Sequence, residues 1–292
     1  MAGLCFITPM NQSPLETAIS RSMIRWSLTK WTPVAESERS WVVRVEQNGR
    51  NFAALKILKP PALEDEGRGS ELLRWYGGEG AATVFDIHAN VVFMEWLDGG
   101  TLADPVRAGR DEEAAIAIAT LVTRLHRPRA EPVPALTDLR AWFQPLFDTD
   151  LKAWPYTARD LYARATGIAL KLFDRPAPQL PLHGDLHHEN ILSSDRGWLA
   201  IDPKGLIGDP AYELANVFRN PPGAAKLVAD PRRIAMLAEI FSSRLGHDRK
   251  RLIGYAAAHS ALSACWDLAA GNPITHDLAV LPPLLAAYDL AG

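Results

Sequence analysis

No stretch of this chain approaches the roughly 20 apolar residues that a membrane-spanning helix needs; "AAIAIATLV" at 114–122 covers about half of that. Cysteine is scarce. Cys5 and Cys265 stand alone, neither in a CxxC pair, so a zinc ribbon is excluded and free thiols are expected. Charge of either sign is nearly balanced, at −3 with histidine neutral, which argues against nucleic acid as the main partner because phosphate-backbone binders are usually basic. It is compatible with a nucleotide plus a metal ion that supplies positive charge. The N-terminal "MAGLCFITPMNQSPLE" has no basic run ahead of its few apolar residues, so it does not read as a signal peptide, and the cytoplasm is the expected location. No GxxxxGK followed by Ser or Thr occurs, which excludes a P-loop. "GRGSELL" at 67–73 follows no strand and lacks the third glycine of a dinucleotide fingerprint. Repeats and low-complexity segments are absent, and "RPRAEPVPALT" reads as a loop.

What is present describes a globular chain of 292 residues, 48% hydrophobic and 22% charged, long enough for two lobes or one large domain. Leu15, Ile19, Met23 and Ile24 share a helical face, so residues 14–30 are predicted as a lead-in helix. "WVVRV" and "NFAALKIL" flank an Asn-Gly turn signal and predict a β-hairpin over 41–58. A helix is predicted over 62–76, weakened by Gly67 and Gly69. "TVFDIHANVVFMEWL" reads as two strands around a His-Ala-Asn turn. The turn-rich "DGGTLADP" marks a lobe boundary, separating 1–97 from 98–292. Beyond it helices dominate: "DEEAAIAIATLVTRLHRP", then 137–147, 155–173, 210–218, 231–245, 248–268 and 275–290.

The one β island in that helical half is "LPLHGDLHHENILSSDRGWLAIDPKG" at 180–205, with three histidines, three aspartates, a glutamate and an asparagine. His183 and His187 have the four-residue spacing of zinc ligands on a helix, but Pro181 and Gly184 are poor helix residues, and without a helix that geometry is lost. Capping and turn residues explain "SDRG" at 194–197. They do not explain Asp185, Asn190 and Asp202 together. "ILSS" and "WLAI" flank the turn and should pair as a hairpin whose outer ends meet. Asn190 precedes the first strand and Asp202 follows the second, so the two should converge, since paired strands lie roughly 5 Å apart. An amide oxygen and a carboxylate suit Mg²⁺, a hard cation that leaves positions for phosphate. Asp185 heads the same loop and can accept the proton of an attacking hydroxyl. This is the kinase pattern of a catalytic-loop Asp, a metal-binding Asn and a second metal-binding Asp.

"HGDLHHEN" with "IDPKG" resembles the aminoglycoside phosphotransferase family, within the protein-kinase-like fold. More narrowly, "LHGDLHHENI", "RGWLAIDPKGLIGD" and "DPRRIAMLAEIFSSRL" resemble the streptomycin 6-phosphotransferase and hydroxyurea kinase branch, over roughly residues 30 to 290. The resemblance implies an α+β, two-lobe fold: a small antiparallel sheet with one main helix, then a mostly helical lobe. It implies ATP as phosphoryl donor, Mg²⁺ on Asn190 and Asp202, and Asp185 as catalytic base.

Further roles follow from the resemblance. Lys56, in "ALKIL", would contact the nucleotide phosphates, although a lysine in a strand is ordinarily just solvated. A glutamate on the next helix would pair with it. Glu64, Glu66 and Glu71 compete, and Glu66 is favoured because it shares the helix face of Leu73. The nucleotide loop should be "VAESERSW", where Ser37 and Ser40 offer donors; it departs from protein kinases in lacking GxGxxG. "VVFMEWL" resembles the hinge, with purine contacts to the backbone near Glu95 and Leu97 and with Met94 beside the ring. His183 is expected to brace the loop, Glu213 to support it, and Asp209 to cap the following helix. "IDP" replaces the DFG of protein kinases, and no APE-type segment occurs, which argues against a protein kinase. The acceptor should be a small, cationic molecule such as streptomycin, bound by carboxylates among Asp148, Asp150, Asp209 and Asp267 and walled by Trp198 or Trp266. The rivals are the same chemistry on hydroxyurea or an unrelated metabolite, and a nucleotide-binding module without turnover.

Overall fold

The computed structural model describes residues 13–47, 51–175 and 177–291. Cys5, the Asn48-Gly49 turn and the Glu64 side chain lie outside the described residues. Two compact units emerge: Met1–Gly67 with Val84–Trp96, and Arg68–Thr83 with Leu97–Gly292. Residues 68–83 are an excursion from the first stretch of chain. That segment groups with the second unit, where the Ala82 amide donates to the Ala200 carbonyl and the Ala200 amide to that of Gly80, each at 2.9 Å.

In the first unit, α1 (Pro14–Arg25) opens on a capping box. Ser13 Oγ accepts from the Glu16 amide at 3.2 Å, and Glu16 accepts from the Ser13 amide at 3.0 Å. The helix stops five residues short of the predicted end, because Ser27 adopts a left-handed φ of 53° and turns the chain into β1 (Leu28–Glu36). The predicted hairpin forms as β2 (Ser40–Gln47) and β3 (Asn51–Leu58), and the next as β4 (Val84–His88) and β5 (Val91–Glu95). The sheet order is β1-β2-β3-β5-β4, with every neighbouring pair antiparallel. Alternation along β3 sends Ala53, Leu55 and Ile57 into a core with Ile19, Val43, Val45, Val91 and Phe93. Lys56 therefore projects from the opposite face, at the centre of the sheet between Val42 and Val92. Helix α2 spans Leu63–Trp75, close to its predicted range.

The second unit is built on helices. α3 (Ala103–Arg107), α4 (Asp111–Leu125), α5 (Leu139–Trp142), α6 (Gln144–Asp148) and α7 (Arg159–Phe173) precede the β island; α8 (Ala225–Val228), α9 (Pro231–Leu245), α10 (Arg249–Ala270) and α11 (Thr275–Leu290) follow it. Helix α10 is buried from Leu252 to Cys265, and its alanine-rich sequence lets α7, α11 and the 210–219 segment pack closely on it. Cys265 is a buried free thiol. Segment Pro210–Arg219 is a ten-residue 3₁₀ helix, so side chains three apart eclipse one another. The β island folds as β7 (Leu180–Leu182), the hairpin β8 (Ile191–Ser194) and β9 (Gly197–Ala200), and β10 (Leu206–Gly208). A two-residue strand, β6 (Thr137–Asp138), completes the sheet β6-β10-β7. Among the described residues no helix is long and apolar enough to cross a membrane.

The two glycines that weaken the prediction of α2 have opposite meanings. A Cβ on Gly69 would stand 1.8 Å from the Pro203 carbonyl oxygen, so only glycine lets this backbone lie against the loop after Asp202. A Cβ on Gly67 meets nothing within 4 Å. Gly69→Ala is expected to destabilise by about 3 kcal/mol, whereas Gly67→Ala should stabilise by roughly 0.5–1 kcal/mol through reduced chain entropy. Urea unfolding of the two variants beside the parent checks both signs.

Candidate active site

The loop between β7 and β8 is held from below by one carboxylate. Glu213, 1% exposed, accepts the His183 amide on Oε2 at 2.9 Å and the Gly184 amide on Oε1 at 3.1 Å, with His126 Nε2 3.1 Å from Oε2. Burial alone would push this carboxyl up; the His126 imidazole first, then His183 and the Gly184 amide, outweigh it and hold it below the ordinary carboxylate range. Gly184 has φ 77°, and a Cβ there would come within 2.6 Å of Leu206, so the turn demands glycine. His183 closes the loop from its other side. Its Nε2 meets the Ile201 carbonyl at 2.8 Å, which places the proton on Nε2 and leaves Nδ1 to accept the Asp185 amide at 3.3 Å. Its carbonyl accepts from the Lys204 amide at 2.7 Å. His183 is thus the expected brace. His187 caps the short 3₁₀ turn His188–Asn190 by accepting the Glu189 amide on Nδ1. Both histidines use ring nitrogens on the backbone, and the helix needed for a zinc pair is absent at their positions.

The predicted hairpin forms, with its second strand one residue earlier than expected, and pairs from Ile191 with Ala200 to Ser194 with Gly197. Its mouth closes where the Ile201 amide donates to the Asn190 carbonyl at 2.9 Å. Asn190 Nδ2 donates to the Asp185 carbonyl at 3.0 Å, which turns Oδ1 into the oxygen the side chain offers elsewhere. Asp202 takes a left-handed φ of 65°, an unusual conformation for a residue with a side chain, immediately after the hairpin. Among the described residues no three His, Cys, Asp or Glu side chains gather to hold a metal by themselves. An Asn oxygen and one carboxylate fit Mg²⁺, which takes few protein ligands and completes its shell with phosphate and water.

Asp185 is gripped at both oxygens. Asn216 Nδ2 donates to Oδ1 at 2.8 Å, and Lys204 Nζ stands 3.7 Å from Oδ2. His187 Nε2 is 4.0 Å from Oδ1, and burial pushes that imidazole below its ordinary value, so it stays neutral there at neutral pH. Asn216 and Lys204 are absent from the sequence-based candidates. The signal for Asn216 was its spacing, three residues after Glu213 and so on the same 3₁₀ face; for Lys204 it was its place two residues after Asp202.

A family model for aminoglycoside/hydroxyurea antibiotic resistance kinases matches residues 25–271. The chain belongs to this family. It is 39% identical to the streptomycin 3''-kinase of Klebsiella pneumoniae, over 85% of this chain and 92% of that one. It is 29% identical to a streptomycin 6-kinase of Streptomyces griseus, over 88% of this chain and 84% of the relative. Its fold is that of the aminoglycoside phosphotransferase APH(4)-Ia, whose thermostable mutant was solved with ADP and hygromycin B: the TM-score is 0.65 at 15% identity, covering 93% of this chain and 96% of that one. The kinase-like, two-lobe α+β architecture expected from the motifs is the one present.

For this kinase-family chain the first unit carries its own ionic centre. Glu66 of α2 pairs with Lys56 through Oε2 and with Arg39 through Oε1 at 3.0 Å; Lys56 and Glu66 are 9% and 5% exposed. Of the three competing glutamates, Glu71 instead pairs with Arg74 on its own helix. Ser37 lies in the β1–β2 turn: its amide donates to the Ser40 carbonyl at 2.9 Å, and its hydroxyl accepts the Arg39 and Ser40 amides. Ser40 is buried at the start of β2, with its amide committed to the same turn. Strand β5 ends at Glu95, in register with Ala53, and Leu97 lies just beyond the strand.

The acidic candidates for the acceptor have different local partners. Asp209 caps the 3₁₀ helix with Oδ1, which accepts the Ala211 amide at 3.0 Å, and Oδ2 binds Arg251. Asp148 is exposed and accepts from Gln144 at 2.7 Å. Asp150 caps the turn Leu151–Ala153. Asp267 is half-buried near the end of α10 and accepts from Asn272 at 3.3 Å. Trp266 packs edge-on against Trp142 at 5.2 Å and near His259 at 6.1 Å; Trp198 lies on β9, half-buried. A buried carboxylate missed in the sequence, Asp277, pairs with Arg219 at 2.6 Å.

Buried histidines of this unit, His188 and His259 above all, make its stability sensitive to acid. Burial pushes His188 and His259 down to about 3, and His188 has no hydrogen-bond partner on either ring nitrogen. Their folded values lie below the unfolded value of about 6.5, so between those limits the unfolded chain binds more protons and stability falls as pH falls. Each should cost on the order of 1 kcal/mol per pH unit below about 6.5. Glu213 adds to the loss only below the ordinary carboxylate range. Melting temperatures should therefore drop progressively from pH 7 to 5, and His188→Phe should make that slope shallower.

Proposed function

We propose that this protein is an ATP-dependent kinase that phosphorylates a hydroxyl of streptomycin or a closely similar cationic aminoglycoside. The observation that carries the reading is the Asp185–Asn190–Asp202 set on one loop and hairpin, with the supports that fix Asp185. Asp185 Oδ2 accepts the hydroxyl proton as the hydroxyl oxygen bonds to the γ-phosphorus and the bond to the β-γ bridging oxygen breaks, leaving ADP and a phosphate ester. Asn190 Oδ1 and the Asp202 carboxylate would hold Mg²⁺, which neutralises phosphate charge when bound. Lys56, held by Glu66 in the first unit, would bind the nucleotide phosphates, and the backbone near Glu95 and Leu97 would meet the base. Positioning and charge neutralisation carry most of the rate in such a reaction.

The streptomycin kinases among its relatives support the acceptor class. A guanidinium-bearing acceptor calls for carboxylates, and Asp148, Asp150 and Asp267 are candidates that the internal ion pairs leave over. Hydroxyurea is the second reading, favoured by the family's breadth.

The test is ADP release with Mg-ATP and a panel of streptomycin, other aminoglycosides and hydroxyurea. Streptomycin-dependent release is expected, and Asp185→Asn should lower kcat by about 10²–10⁴-fold. Release with hydroxyurea alone would reassign the acceptor; full activity of Asp185→Asn would remove the base.

A further inference from the structure

A carboxylate on a two-bond side chain has a soft terminal torsion, and its two oxygens exchange places unless one is tied. In Asp185 the short tie is Asn216, whose Nδ2 donates to Oδ1 at 2.8 Å, whereas Oδ2 is held only by long contacts, to Asn190 Nδ2 at 3.5 Å and Lys204 Nζ at 3.7 Å. Which end of the Asn216 amide faces the aspartate is fixed in turn by Asn220. Its Nδ2 donates to Asn216 Oδ1 at 2.8 Å and to the Asn216 carbonyl at 2.8 Å. With its oxygen so occupied, Asn216 must present nitrogen to Asp185. The Asn220 carbonyl accepts from Arg233 Nη2 at 2.9 Å, and Arg233 also donates to the Phe218 carbonyl at 3.1 Å. Arg233 closes the chain with a two-pronged pair to Asp111, at 2.7 and 3.1 Å. Asn216, Asn220 and Arg233 are 8%, 7% and 4% exposed, so water competes little for these bonds.

We infer that Asn216 is a positioning residue for phosphoryl transfer: anchored through Asn220 to the Arg233–Asp111 pair, it pins Oδ1 of Asp185 and so dedicates Oδ2 to the acceptor hydroxyl. The inference rests on the reading of Asp185 as the base. The buried chain runs from the start of α4 through α9 and the end of the 3₁₀ helix, so the aim of the aspartate is set by elements well away from the loop that carries it. Lys204 faces the oxygen left for chemistry.

The test uses the full chain, Mg-ATP and the acceptor identified by the panel. Asn216→Asp keeps the volume and the bonds from Asn220 but replaces the donor by an acceptor, and Asn216→Ala removes the tie. Both should lower kcat by about 10–100-fold, as expected for a base misplaced by a fraction of an ångström to 1 Å, with KM for ATP and acceptor unchanged and a cooperative melt retained. Asn220→Ala should lower kcat less, and should add nothing in the Asn216→Ala background. Wild-type kcat in Asn216→Asp would mean that the residue only fills space and would overturn the inference. So would independent, additive losses from Asn216 and Asn220. If Asp185→Asn is inactive while the Asn216 variants turn over normally, the positioning role alone fails. If Asp185→Asn is fully active, or no acceptor turns over, the base reading fails and takes this inference with it.

Discussion

The buried carboxylate of Glu213 is the constraint on which the rest of the site depends. Two consecutive amides, of His183 and Gly184, would otherwise be buried donors without acceptors, each a loss of about 1–3 kcal/mol. By taking both, Glu213 forces the chain into the tight, glycine-dependent turn that delivers Asp185. His126 makes this burial tolerable by supplying a third hydrogen bond. The site is thus built on a charge that is expensive to bury and stays ionised because its partners are fixed.

The 3₁₀ geometry of Pro210–Arg219 extends that constraint. Its three-residue repeat aligns Glu213, Asn216 and Arg219 along one face. Glu213 fixes the loop backbone, Asn216 fixes the aspartate, and Arg219 reaches Asp277 on α11. One short, rigid element therefore ties the catalytic loop to the C-terminal helix, and Asp209 and Arg251 clamp its start. A cation at its last turn is also favourably placed for the helix dipole.

Much of this was legible in the sequence where local chemistry and tertiary demand agree. The β8–β9 hairpin followed from its apolar runs and its Ser-Asp-Arg-Gly turn, and the choice of Glu66 as partner of Lys56, a pairing the family resemblance implied, from the helix face it shares with Leu73. The failures have physical causes. Strand β1 was hidden because eight of its nine residues are exposed and polar residues interrupt its pattern, so no alternation signals a buried face. Ser27, which ends α1, has no glycine-like signature. The aspartates near the expected acceptor site could not be ranked, because a carboxylate consumed by Arg251 reads in sequence like one left for a ligand. Asn216 escaped notice because an uncharged amide announces no chemistry until its partner is seen.

Strand β1 carries one more consequence. It lies at the rim of the sheet, with β2 as its neighbour on one side. A bare rim of this length is a template on which a second chain can add a strand. Here Pro33 removes a donor from the middle of the row, and irregularities between Leu28 and Lys30 and between Pro33 and Ala35 break its spacing. Lys30 adds a charge that an incoming strand would have to accommodate. The features that disguised this segment as a non-strand are the ones that make it a poor seed for sheet-to-sheet polymerisation.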